Sequence, residues 1–170
     1  MSDPRKQIQV ARSVEQSRVV ERPGGVTGFD TFFAIGTWTP SLKGTTIAGT
    51  FTYTNQQGHY TRIGDLVSAF GRVTISAIAV APTGNLRIAG LPITPTTLSE
   101  GKAGTTHVND WNGITFGAGY TYMGGWVVNA TAEIALTESG SNIADIFLPA
   151  AGLVLVGGTS ELNFTATYRV

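Results

Sequence analysis

A chain of 170 residues has room for one domain around one core. No apolar run approaches the roughly 18–20 residues that span a bilayer, and Met1-Ser2-Asp3-Pro4-Arg5-Lys6 leads into no signal-peptide stretch, so no membrane partner and synthesis in a cytoplasm are expected. Eleven basic residues against eleven acidic ones leave no basic excess for nucleic acid, and the lack of cysteine removes disulfides and thiolate chemistry.

Charged residues make up only 13 % of the chain, where a globular domain carries about 25 %. Interface cores are depleted in charge, so the deficit predicts an oligomer or a packed assembly, although a glycan-facing β-protein shares some of this bias.

Residues 1–35 read as an extended arm. Nine charged residues precede Phe33 and no large apolar cluster does. Ile8, Val10 and Val14 alternate as in a strand, Ile8, Ala11 and Val14 also fit a short helix, and Pro23-Gly24-Gly25 ends either pattern. From residue 36 to residue 170 the pattern is short β-runs between Gly, Pro, Asn and Ser. Runs at Thr50–Thr54 and His59–Ile63 come first. Leu66–Val80 follows as a strand or strand pair with Val67, Ala69, Val73 and Ile75 on one side, and Gly71 marks an expected bulge. Asn85–Ala89 is the next run, and the Thr-, Ser- and Gly-rich segment from Thr94 to His107 predicts a long exposed loop.

A second irregular segment, Gly113 to Gly125, interleaves Phe116, Tyr120 and Tyr122 with glycine, and its Gly124-Gly125 pair, like Gly157-Gly158, reads as a turn. Trp126, Val128, Ala130, Ala132, Ile134 and Leu136 then form one apolar face of an expected long strand. Runs at Ile143–Leu148 and Leu153–Val156 precede a last strand in which Leu162, Phe164, Ala166, Tyr168 and Val170 alternate with polar residues. Eight to ten strands in all predict an all-β fold, an antiparallel two-sheet β-sandwich of jelly-roll type. Pro82, Pro92, Pro95 and Pro149 fall between the runs, where a missing amide donor does no harm.

The residues that carry chemistry are few. His59 and His107 are the two histidines, and neither adjoins a Gly-x-Ser-x-Gly elbow, which disfavours a catalytic triad. His107 with Asp110 falls short of the three or four ligands of a zinc or calcium site. Glu133 and Glu161 lie on polar strand faces and read as solvated side chains rather than a glycosidase pair. The glycine pairs lack a phosphate-loop lysine. No enzyme, metal or cofactor is expected. Asn109-Asp110-Trp111-Asn112, with Tyr120 and Tyr122 nearby in sequence, is the best candidate for contact with a glycan or a partner, since an aromatic ring flanked by amides and a carboxylate offers a stacking plate and hydrogen-bond partners. Trp38 and Trp126 read as core.

Gly36-Thr37-Trp38-Thr39-Pro40, Gly49 with Thr52-Tyr53, Gln57-Gly58 with Tyr60-Thr61-Arg62-Ile63-Gly64, and Gly90-Leu91-Pro92 together form a pattern. It resembles a module recurrent in bacteriophage virion proteins, notably the distal domains of tail fibres and tailspikes. The likeness covers Gly36 to Ile93. Asp65 stands where such modules often have Asn, His59 where a basic residue is common, and Ile93 where Phe is frequent. The resemblance implies a trimeric β-sandwich on a virion and, in fibres, binding to host surface carbohydrate.

Only about 35 residues precede the module here, an arm that spans on the order of 100 Å when extended, with no shaft repeat. The expectation is therefore a homotrimeric capsid decoration or cement protein, or a short head fibre, made in the host cytoplasm. Its arm, through Ile8, Val10, Val14, Arg18 and Arg22, would grip other virion proteins such as the capsid shell. A glycan-binding fibre tip is the alternative, and a carbohydrate-binding module of a cellular enzyme a third reading.

Overall fold

Alternation of apolar and polar residues at period two puts one face of a strand in a core, and nine of the ten strands among the described residues contribute to one core here, the strand Ile143–Phe147 being exposed throughout. The computed structural model describes residues 32–170; Ile8, Val10, Val14, Arg18 and Arg22 lie outside them. The strands are β1 (Phe33–Trp38), β2 (Ser41–Gly44), β3 (Thr50–Ile63), β4 (Leu66–Val80), β5 (Leu86–Ala89), β6 (Lys102–Asn112), β7 (Tyr122–Val128), β8 (Glu133–Gly140), β9 (Ile143–Phe147) and β10 (Ser160–Arg169). The protein is all-β and every strand pair is antiparallel.

Hydrogen bonding runs unbroken in the order β1-β3-β4-β10-β6-β7-β8-β5-β2, with β9 also paired to β8. The two expected sheets are thus one continuous sheet. A flat sheet of that width would leave an apolar face in water, and wide twisted sheets curl instead. The curl brings β2 back to β3: the Tyr53 hydroxyl accepts from the Leu42 amide at 2.9 Å, and Gln56 Nε2 donates to the Pro40 carbonyl at 2.9 Å. Inside it Leu42, Leu86, Ile88, Ile134 and Leu136 join Val67, Val73, Ile75, Leu162 and Phe164 in one core.

The C-terminal strand β10 is central, held by β4 on one side and β6 on the other, with Leu162, Phe164, Ala166 and Tyr168 all buried as the alternation predicts. The Leu66–Val80 run is one strand, and Thr50–Thr54 and His59–Ile63 merge into one, β3, broken by register shifts between Thr50 and Asn55. Gly71 is not a bulge. It pairs in register with Gly58 and Phe164, and a Cβ built on it would overlap the Phe164 ring. Gly58 leaves the same room for the Trp38 indole, whose Nε1 donates to the Phe70 carbonyl at 3.0 Å and whose ring meets Phe164 edge-on at 6.0 Å. A Cβ on Gly36 would lie 2.7 Å from the Tyr60 ring.

Other expectations change. The long loop from Thr94 ends at Gly101, because β6 begins at Lys102 and carries the chain through His107. The single strand expected across Trp126–Leu136 is a hairpin: β7 ends at Val128, Ala130 turns the chain with φ of 51°, and β8 starts at Glu133. Gly124-Gly125 lies within β7, where Gly125 lets the Ala135 carbonyl approach, whereas Gly157-Gly158 does form a turn. Leu153–Val156 forms isolated bridges and no strand. β1 starts at Phe33, three residues before the boundary expected at Gly36.

Tyr168 sits almost wholly within the core and its Oη has no hydrogen-bond partner. Burial pushes its hydroxyl up to about 12; the Ile93 backbone, close by but not in bonding geometry, pulls slightly back, and Tyr60 adds to the rise. A buried hydroxyl without a partner opposes folding. Tyr168→Phe is accordingly expected to leave the urea midpoint unchanged or to raise stability by up to about 1 kcal/mol; a clear loss of stability would mean that the hydroxyl is bonded.

Candidate functional site

The sheet has an inner face that makes the core and an outer face that meets solvent, so a functional surface must be built from outward residues or loops. On β6 the phase of that alternation is interrupted. Phe164 pairs with Val108 and Asn163 with Asp110, leaving Asn109 as the extra residue of a β-bulge. Val108 points inward, and after the bulge the inward position passes from even to odd numbers. Trp111 therefore pairs with buried Leu162, packs against the core and meets Phe116 edge-on at 5.8 Å.

Asp110 and Asn112 stay exposed on the outer face. The ring and its polar neighbours thus occupy opposite sides of one strand. Asn109 Oδ1 lies 2.5 Å from His107 Nδ1, and its Nδ2 donates to Thr165 Oγ1 at 3.4 Å. Asn163 Nδ2 donates to Asp110 Oδ2 at 3.5 Å and to Glu161 Oε1 at 2.8 Å. Glu161 also accepts from Arg72 at 2.9 Å and Thr74 at 3.2 Å. These contacts form a polar ladder across β4, β10 and β6 that runs from Arg72 to Asp110.

Hydrogen bonds from Arg72 hold the Glu161 carboxyl below the ordinary carboxylate range; partial burial opposes this, and Asn163, the Arg72 charge and Thr74 add to it. At Glu133 burial acts to raise the carboxyl, but hydrogen bonds from Lys43 at 2.8 Å and Arg87 at 2.6 Å, with their charges, outweigh it and the net shift is downward. Both glutamates, expected as plain solvated side chains, are ion-paired. Glu133 ties β8 to β5 and β2.

A carboxyl depressed by folding stabilises above its unfolded pKa, about 4.5 for Glu133, and that contribution disappears as pH falls through the folded value. Glu133→Gln should therefore lower the melting temperature at pH 7, and the gap to the unaltered chain should close toward pH 3. A gap independent of pH would show that packing, not charge, is lost.

Tyr120 and Tyr122 go to different places. The Tyr120 hydroxyl donates to the Ala144 carbonyl at 3.2 Å and ties the β6–β7 loop to β9. Tyr122 is exposed at the start of β7. On the same outward phase of β7 is Trp126, expected in the core but only half-buried, with Phe147 at 5.2 Å and Lys102 Nζ 4.3 Å from the ring centroid. This aromatic shelf, Tyr122, Trp126 and Phe147, was not legible in the sequence because the hairpin turn reverses which parity faces inward.

A second outward surface lies at the other side of the sheet, where Phe33, Ile35, Ile63, Leu66 and Phe70 of β1, β3 and β4 are all between 42 and 68 % exposed. Beside Phe70 is a shallow depression lined by His59, Tyr60, Thr61 and Ser68. Among the described residues no group of three or more His, Asp or Glu side chains is placed to hold a metal ion. These surfaces offer apolar and aromatic contact at two edges, and hydrogen bonding between them.

No family model matches the chain, and no curated protein does. A solved structure does: the crystal structure of Dettilon tailspike protein (gp208), with a TM-score of 0.62 and 20 % identity, over 81 % of this chain and 24 % of that one. The likeness is one of fold. The chain spans about a quarter of the length of that tailspike protein.

Proposed function

We propose that this chain is a non-enzymatic structural protein of a bacteriophage virion, a homotrimer that acts as a capsid decoration or cement protein or as a short head fibre, fastened to the particle by residues 1–35. The observation that carries the reading is the role of the motif residues. Gly36 makes room for Tyr60 and Gly58 for Trp38, so these two glycines of the pattern, which resembles that of tail-fibre and tailspike modules, serve the packing of β1, β3 and β4. A pattern of that kind follows fold, and the fold is also that of a portion of a tailspike protein. A charged-residue content of only 13 % supports an assembled state, because it leaves surface suited to burial between subunits.

Removing residues 1–30 tests the arm. The shortened chain is expected to remain a folded trimer and to lose co-sedimentation with particles that lack the protein. Retained co-sedimentation would move the anchor into the sheet domain.

The second reading, a fibre tip that recognises host surface glycan, draws on the exposed side chains of Asn109, Asp110 and Asn112 of β6. It predicts saturable binding on a glycan array that falls at least tenfold in Asp110→Ala. Unchanged binding in that variant, or none by either protein, would remove it.

A further inference from the structure

A homotrimer closed by a three-fold axis uses a heterologous contact, in which one surface of a subunit meets a different surface of the next. The outer face of this sheet carries two surfaces with that relation. On one side are Phe33, Ile35, Ile63, Leu66 and Phe70, side chains at least two-fifths exposed. Their pairing makes them contiguous: Phe33 faces Ile63 and Ile63 faces Leu66 across β1, β3 and β4. Thr37, His59, Thr61, Ser68, Thr165 and Thr167 border them, and the one charged side chain that strand pairing sets beside the five is Arg169, opposite Leu66. Five large side chains so exposed present on the order of 500 Å² of apolar surface, near the upper limit for a monomer. With the threonine and serine border this approaches the roughly 800 Å² that one partner contributes to a stable contact.

Across the sheet is the aromatic shelf. The row that starts at Phe70 continues by strand pairing through Thr165, His107, Gly124 and Thr137 to Phe147. Five strand spacings separate the two ends, about 24 Å, so they are distinct surfaces of one face. Each has a charged rim of both signs, Asp65 and Arg169 at the first, Asp145 and Lys102 at the second, and none of the four is ion-paired among the described residues.

We infer that the Phe33–Phe70 surface of one copy packs against the Tyr122–Trp126–Phe147 shelf of the next, and that three such contacts close the ring. The inference rests on the homotrimer of the proposed function and adds which surfaces meet. The occupant is a second copy and not the arm, because the arm is the most charged part of the chain, with nine charged residues before Phe33, whereas the five side chains at the centre of the surface are all apolar. Phe32, the first described residue, adjoins Phe33 at the rim of the surface. The depression between His59, Tyr60, Thr61, Ser68 and Phe70 is open to receive a protruding side chain from the neighbouring shelf.

Sedimentation equilibrium on the full chain and on Ile35→Glu, Phe70→Glu and Phe147→Glu tests this, with Leu66→Lys replacing any first-surface variant whose melting shows it unfolded and Tyr122→Glu replacing Phe147→Glu on the same ground. The unaltered chain is expected at the mass of three subunits and each variant at the mass of one. An equimolar mixture of Phe70→Glu and Phe147→Glu at high concentration should form a two-chain species through the single junction left intact. Folded variants that stay trimeric would overturn the assignment of surfaces and leave the trimer standing; this includes the case in which the trimer is lost only on removing residues 1–31. An unaltered chain that sediments as one subunit would instead remove the trimer itself. Variants that fall to one subunit but do not pair when mixed would show that the contact is not heterologous, and would overturn the inference too.

Discussion

Phe164→Ala is expected to destabilise the fold by about 3–5 kcal/mol, the range for deleting a buried aromatic ring. Phe164 is fully buried on the central strand β10 and lies over Gly71 of β4, with Trp38 edge-on at 6.0 Å. The cavity cannot collapse easily, because its floor is a glycine backbone in a paired strand and Trp38 is held by its bond to the Phe70 carbonyl. Gly71→Ala should also destabilise, by about 1–3 kcal/mol, because its new methyl group overlaps the ring. The two changes should couple: in the double variant the methyl group occupies space that the ring vacated, so the combined loss should be smaller than the sum. Urea unfolding of the four proteins checks this. Strictly additive losses would mean that Gly71 and Phe164 do not compete for one space.

Ending the chain at residue 159 should abolish folding. That change removes β10, and β10 alone joins β4 to β6 in the hydrogen-bonded path. Without it Val67, Ala69, Val73 and Ile75 lose their inner neighbours, and β4 and β6 each gain an unpaired edge inside a curled sheet. The truncated chain should show no cooperative thermal transition and should enter inclusion bodies. A soluble product with a sharp melt would mean that the two parts of the sheet fold independently.

Much of this architecture is visible in the amino-acid order, and the reason is local. β4 and β10 alternate cleanly because each has one wet and one dry face, so Val67 to Ile75 and Leu162 to Tyr168 can be assigned by parity alone. Parity fails where the backbone slips by one residue without a marker. The turn after Val128 is made by Asn129, Ala130, Thr131 and Ala132, with neither glycine nor proline, and the even-numbered apolar series runs on through it. Trp126 thus reads as core although Val127 is the buried residue.

The bulge at Asn109 has the same effect on Trp111, which shares no face with Asp110 and Asn112. On β8 both faces are buried, since Ala135, Thr137 and Ser139 are covered as well as Ile134, Leu136 and Glu138, so an alternation rule has nothing to detect. The apolar surface of β1, β3 and β4 is hidden for another reason. Its residues come from three strands, and only pairing register shows that Phe33, Ile63 and Leu66 are neighbours.

The proposed trimer requires that a charge-poor sheet domain be completed by copies of itself. Native mass spectrometry of the full-length chain at micromolar concentration and physiological salt tests this most directly. A single species of three chains is predicted; a stable one-chain species across that range, with the apolar outer face still accessible to solvent, would contradict it.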